Sequence, residues 1–218
     1  MYAINHAATA LILKKNAPAV PIWPLLVSVQ LVEVLWVLLN YIGIEHFSIT
    51  DGRLHLDYLP FSHSIFSGAL IAFLSYVIIR WGFKKKTMAL VFAIGVLSHI
   101  IIDVIFHEKD IRLSPFAHTP VFGLGIIDFP ILNFILELLY GIFCWWYFKG
   151  NKPLLVTIIV FNVLDLPVML ASGKSLNVFI SHPFLLPTFI LFQILITWYF
   201  VAKFSRKGRN ASIKAGKK

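Results

Sequence analysis

The chain has 218 residues, of which 59% are hydrophobic and 13% charged, and its mean hydropathy of +0.83 excludes an ordinary water-soluble globular domain. Its net charge of +9 comes from 19 Lys and Arg against 10 Asp and Glu. The single cysteine, Cys144, excludes a disulfide framework or a thiolate cluster within one chain, so any bound metal must use nitrogen and oxygen donors.

The first element, Ala3–Leu13, favours helix but is too short to cross about 30 Å of hydrocarbon at 1.5 Å per residue. It is either interfacial or a half-helix that dips into a bundle, with Lys14 and Lys15 held at the membrane surface. In the second case His6 lies about 12 Å inward from Lys14. No basic residue precedes this stretch, which is unlike a signal peptide, so Met1–Lys15 is expected to be retained.

Apolar runs long enough to span follow at Val20–Ile44, Ser64–Trp81, Thr87–Phe106, Ile131–Phe148, Leu154–Ala171 and Phe184–Val201. Glu33 lies near the middle of the first, His63 just before the second, and Glu137 and Asp165 inside the fourth and fifth. Two longer polar connections, Glu45–Phe61 and His107–Asp128, carry Glu45, His46, Asp51, His55, Asp57, Glu108, Asp110, His118 and Asp128. The expected fold is an all-α polytopic transmembrane helical bundle: about six membrane-spanning helices plus a short N-terminal half-helix. Residues 1–202 form one domain, and 203–218 a basic, disordered juxtamembrane tail.

Charge orients the bundle. When the spans alternate, 15 of the 19 cationic residues fall on one side, and only Arg53, Lys109, Arg112 and Lys174 on the other. The positive-inside rule assigns the first side, with the basic tail, to the cytoplasm of a cell inner membrane, and both polar connections to the opposite face. The net charge is thereby accounted for by topology and anionic lipid, and no nucleic-acid partner is expected.

The third span ends in Ser98-His99-Ile100-Ile101-Ile102-Asp103-Val104-Ile105-Phe106-His107, which stacks His99, Asp103 and His107 along one helical stripe. Ionisable groups inside a membrane are costly, so each of Glu33, Asp103, Glu137 and Asp165 must find a partner. A divalent cation shared by neutral imidazoles and carboxylates is one solution; zinc, manganese or iron would accept this donor set. A buried His99–Asp103 pair that fixes helix packing is the structural alternative, and a single histidine such as His6 or His63 is by itself more often a capping or interfacial residue. His107 is placed at the interface beside the ligands, and His46, His55, His118 and His182 read as loop histidines. Glu137 with Asn133, and Asp165 with Asn162, fit either helix-to-helix hydrogen bonding or a path for cations or protons.

Three elements carry a family resemblance: Asn5-His6, Pro60-Phe61-Ser62-His63-Ser64 and Ser98-His99-Ile100-Ile101-Ile102-Asp103. Over the first half of the chain they resemble the bacterial membrane-bound metal-dependent hydrolases. Those small polytopic proteins carry Thr-His, Pro-Asp-x-Asp, Arg-Gly-x-Thr-His-Ser and Ser-His-x-x-x-Asp elements and are compared with zinc-dependent phospholipases C. This chain departs at Val32-Glu33, in place of Pro-Asp, and at Leu59-Pro60-Phe61, where the arginine is missing. The resemblance implies His6, Glu33, His63, His99 and Asp103 as the metal site. Glu33 and Asp103 are then the candidate catalytic carboxylates, with Glu33 serving as ligand or as general base.

The function so implied is hydrolysis of a phosphoester, including a lipid ester, by metal-activated water, with membrane lipids as partners and zinc as the first choice of ion. Two other readings use the same residues: a cation or small-solute transporter, and a non-catalytic membrane scaffold. No inverted repeat or matching pair of broken helices supports the transporter.

Overall fold

Ala3, Ala7, Ala8 and Ala10 make helix α1 (Ala3–Asn16) both a strong helix former and a slender one. Every side chain from Ile4 to Leu11 is buried, so α1 lies inside the bundle and the interfacial alternative does not hold. At about 21 Å it cannot cross a membrane; it is a plug around which the longer helices stand. In the computed structural model, residues 1–50, 53–116, 119–170 and 177–215 are described. Asp51, His118, Lys174, Lys217 and Lys218 lie outside the described residues, and only the backbone is described at Arg53, His55, Asp57, Arg206, Lys207, Arg209 and Lys214.

Six helices are long and apolar enough to cross a membrane. They are α2 (Ile22–Tyr41), α3 (Ile65–Val77) with the π-helical turn Ile78–Gly82 that extends it, α4 (Lys86–Phe106), α5 (Pro130–Phe148), α6 (Lys152–Met169) and the Leu185–Ser205 part of α8 (Leu185–Ala215). The chain is thus a multi-pass membrane protein with an all-α bundle. A short helix, α7 (Asn177–Ser181), precedes α8. The α8 backbone stays helical as far as Ala215, within the stretch expected to be disordered, as its Lys, Arg and Ala content allows.

The first polar connection holds an antiparallel hairpin, β1 (His46–Thr50) with β2 (Arg53–Tyr58), and the second a two-residue pairing of β3 (Ile111–Arg112) with β4 (Val121–Phe122). Alternating side chains around Asp51-Gly52 are the local sequence signal for the first hairpin.

One end of the bundle gathers lysines that the charge alternation groups together. Lys14 Nζ donates to the Pro18 and Val20 carbonyls at 2.8 and 2.6 Å, and Lys15 donates to the Tyr147 carbonyl. The C-terminus of α1, where its dipole favours cations, therefore sits with the end of α5 and the start of α6.

Helix α1 packs on α2, α5 and α8, and α4 packs on α2 and α3. Its approach to α5 depends on Gly141: a Cβ there would stand 2.7 Å from both Asn5 Oδ1 and Ile158 Cγ2. Gly141→Leu is expected to push α1 off α5 and cost about 1–3 kcal/mol by overpacking. Thermal unfolding in detergent, wild type against variant, measures it; an unchanged midpoint would show that the contact is not limiting.

Candidate metal centre

Four elements deliver five side chains to one place. Helix α1 brings His6, the middle of α2 brings Glu33, the turn before α3 brings His63, and α4 brings His99 and Asp103 one turn apart. The turn is held by the His63 N–H donating to the Leu59 carbonyl at 3.0 Å. Ser64 then caps α3, its Oγ accepting the Ser67 N–H at 3.2 Å.

Asp103 is the hub. Its Oδ1 lies 3.2 Å from His6 Nε2, and its Oδ2 lies 2.9 Å from His99 Nε2 and 3.8 Å from His63 Nε2. Glu33 Oε2 faces the other side, 3.3 Å from His63 Nε2 and 3.7 Å from His99 Nε2. The Met1 nitrogen stands 3.5 Å from Asp103 Oδ1. The His6 and His99 rings stack with centroids 4.1 Å apart.

Two triads have ligand atoms mutually within 4.8 Å: His6, His99 and Asp103, and Glu33, His63 and His99. They meet at His99. Donors about 2.1 Å from one ion stand about 3.0 Å apart at right angles and about 3.4 Å apart at tetrahedral angles, which the shorter separations match. The buried group could therefore hold a metal ion.

The hydrogen bonds favour that use over a packing pair. His99 Nδ1 lies 2.8 Å from the Val29 carbonyl, which can only accept, so the proton is on Nδ1. In the neutral ring, Nε2 then carries a bare lone pair, 2.9 Å from the Asp103 Oδ2 lone pairs. Both atoms are buried and have no hydrogen-bond partner. Two acceptors at this distance repel unless they share a cation, and a second-shell carbonyl on the far ring nitrogen is the usual companion of a ligating histidine.

The centre is closed on most sides. Asp103, His6, His63 and His99 side chains are at most 3% exposed, whereas Glu33 is 21% exposed and forms its open edge. His63 sits just outside the spans. Burial works against its charged form, but the Glu33 carboxylate, by hydrogen bond and by charge, together with Asp103 and Glu45, outweighs burial and raises its pKa. A cation between His63 and Glu33 would supply the same attraction.

The other sequence-derived candidates separate cleanly. His107 stands at the rim, with Nε2 4.0 Å from Asp103 Oδ1 and Nδ1 3.7 Å from Asp110 Oδ2. Glu137 and Asp165 lie outside the centre and act between helices. Glu137 Oε2 accepts the Tyr2 N–H at 2.9 Å and Asn5 Nδ2 at 2.8 Å, and Asn5 Nδ2 also reaches Asn162 Oδ1 at 2.8 Å. Asp165 Oδ1 accepts Gln193 Nε2 at 2.7 Å. Thus Asn5 ties α1 to α5 and α6 while its neighbour His6 enters the centre.

Sequence reasoning named Glu45 in the first polar connection and Ser62 in a resemblance motif but assigned neither a role at the centre. Glu45, in the loop after α2, is 1% exposed and accepts three hydrogen bonds from Phe61 and Ser62. Ser62 in turn touches His63 Nδ1 at 2.7 Å. Glu45 and Ser62 are 17 residues apart, with no local pattern to link them.

No family model, curated protein or solved structure matches the chain.

Asp103→Asn, which keeps the shape and removes the hub's charge, is expected to abolish stoichiometric binding of a divalent cation. Glu137→Gln, which can keep both accepted bonds, is expected to leave it intact. Isothermal titration with zinc in detergent distinguishes them, and equal affinities in the two variants would place the ion elsewhere.

Proposed function

We propose that the chain is a membrane-bound metal-dependent hydrolase that cleaves the phosphoester of an amphiphilic lipid, with zinc as the resident ion. Manganese and iron suit the same nitrogen and oxygen donors. One observation carries this reading: three imidazoles and two carboxylates from four elements converge inside an apolar bundle, with the unpartnered His99 Nε2 turned toward the unpartnered Asp103 Oδ2. The residues also fit the resemblance to bacterial membrane-bound metal-dependent hydrolases.

In this reading His6, His63, His99 and Asp103 hold the ion. Bound zinc supplies Lewis-acid polarisation of a phosphoryl oxygen and a lowered pKa for water. Glu33, on the open edge 3.3 Å from His63, is placed to take the proton of an attacking water as general base. Asp103, with one oxygen beside His6 Nε2 and the other beside His99 Nε2, would complete the ligand set, and the surrounding apolar side chains exclude bulk water.

An amphiphilic substrate is favoured by a cavity of about 730 Å³ between the end of α2, β1, α7 and the start of α8. Tyr41, Ile42, Phe47, Phe179 and Phe184 give it apolar walls, and Glu45 borders both the cavity and the turn that carries His63. The charge asymmetry supports an extracytoplasmic position for this end, in an inner membrane, with the basic tail in the cytoplasm.

A transport reading draws on a different observation, the second buried carboxylate layer formed by Glu137 and Asp165 beside α1. One set of measurements separates the two. Wild type is expected to purify with roughly one zinc per chain and to hydrolyse phosphodiester or phospholipid substrates in a chelator-sensitive way, and His99→Ala to lack both properties. Negligible metal in both proteins would overturn the two readings together. Metal that binds wild type and crosses vesicle membranes, with no ester cleaved, would favour transport and remove the hydrolase.

A further inference from the structure

We propose that a cavity at the lysine-rich end of the bundle binds the headgroup of an anionic phospholipid, with Lys15 and Lys149 holding its phosphate. The cavity, of about 460 Å³, lies where the end of α1 meets the turn between α5 and α6, and its walls are Lys15, Trp145, Trp146, Tyr147, Lys149 and Gly150. Lys15 is nine residues from His6 along α1, about 13 Å, so this site is separate from the metal centre and does not depend on it.

Charge is in surplus here. Lys14 and Lys15 close α1, Lys149 follows α5 and Lys152 opens α6, so four ammonium groups gather around three helix ends. The C-termini of α1 and α5 offer about half a negative charge each, and the N-terminus of α6 returns about half a positive one. The helix ends therefore offset only roughly half a unit of this charge. Residues 14–21, 82–86 and 149–152, the connections at this end, contain no Asp or Glu; the 10 acidic residues lie in the two polar connections or inside the spans. The counter-charge has to come from outside the chain.

The two lysines of the cavity are held in place. Lys15 Nζ donates to the Tyr147 carbonyl and lies 4.3 Å from the centre of the Tyr147 ring. An ammonium has three donors, so this bond fixes the charge beside the cavity and leaves capacity for a phosphate oxygen. Lys149 ends α5 in the left-handed region, at φ 59° and ψ 49°, a conformation that glycine or asparagine adopts at lower cost. Among the described residues only Lys84 and Lys149 combine a side chain with positive φ, and both follow a span that ends on the lysine-rich side. Gly150 then lets Trp145 pack on the turn: a Cβ there would overlap Trp145 Cδ1, whose indole N–H donates to the Asn151 carbonyl at 2.9 Å.

The rest of the lining selects a lipid as the source of the phosphate. Indole and phenol rings collect where hydrocarbon meets the headgroups, and Trp145, Trp146 and Tyr147 share this cavity with the two lysines. One turn nearer the bilayer centre, the Phe143 ring lies 6.1 Å from both the Trp146 and the Tyr147 rings. Phe143 and Trp146 are 46% and 65% exposed, and they form an apolar wall along which an acyl chain can run while its phosphate stays at the lysines. A soluble anion would meet the lysines and leave that wall unused. An acidic protein segment would have to enter to headgroup depth to reach it.

The test is native mass spectrometry of the delipidated full chain in detergent, titrated with phosphatidylglycerol and with phosphatidylcholine of matched acyl chains. Each lysine near a charged lipid is worth about fivefold, the equivalent of about 1 kcal/mol, so wild type is expected to prefer phosphatidylglycerol by roughly 30-fold. Lys15→Gln combined with Lys149→Asn keeps a donor for the Tyr147 carbonyl and suits the left-handed turn, and it is expected to remove that preference. Lys85→Gln combined with Lys86→Gln takes the same charge from the start of α4, at the same end, and should leave the preference intact. Equal losses in the two double variants would reduce the site to a diffuse surface field and overturn the proposal, as would equal affinity of wild type for the two lipids. Displacement of the lipid by millimolar inorganic phosphate would assign the lysines to a free anion and overturn it too. Should the Lys149 change impair folding, Lys15→Gln alone is expected to lower the preference about fivefold, and an unchanged preference would count against the proposal equally.

Discussion

The rest of the structure depends on the Asp103 carboxylate, buried and set among three imidazoles inside a helical bundle made to face hydrocarbon. An ionised carboxylate in such a place costs several kcal/mol unless a cation shared with neighbouring groups offsets it. His6, His99 and His63 come to it from three elements, which forces the start of α1, the turn before α3 and the second half of α4 to lie within a few ångströms of each other. Helix packing in membranes has little hydrophobic drive of its own, so a polar hub of this kind does much to define which helix faces which.

Helix α1 is the consequence. Its alanines let α2, α5 and α8 close around it, and Gly141 lets α5 approach within reach of Asn5. Adjacent residues on α1 then divide two tasks. Asn5 joins Glu137 and Asn162 in a layer that ties the helix to α5 and α6, and His6 turns to Asp103. The Lys14 and Lys15 anchors at the other end fix how deep the helix sits. A short apolar segment thus becomes the most buried element of the bundle.

Much of the centre was legible residue by residue. The i, i+4 spacing of His99 and Asp103 is readable because a helix places those side chains on one stripe whatever surrounds it. His6, Glu33 and His63 could be singled out as costly or motif-bearing residues, yet their convergence could not be deduced from spacing. Glu45 and Ser62 were opaque for a different reason: a loop carboxylate reads as solvated unless the fold buries it, and the direction of its hydrogen bonds is a property of three-dimensional neighbours. Glu137 and Asp165 showed the reverse case, conspicuous in the sequence but engaged in helix-to-helix bonds.

The amino-acid sequence by itself determined the six spans, the all-α class and the charge asymmetry between the two ends, because hydropathy, span length and helical period are local properties that bilayer thickness makes decisive. It also determined that any metal ligands would be imidazole and carboxylate, since one cysteine leaves no thiolate set. Only the tertiary structure decided that α1 is a buried plug, that the five donors converge as two triads sharing His99, and that His99 Nδ1 faces the Val29 carbonyl. Those outcomes depend on contacts between residues as far as 157 positions apart, and such contacts follow from how helices pack and how each buried proton finds an acceptor.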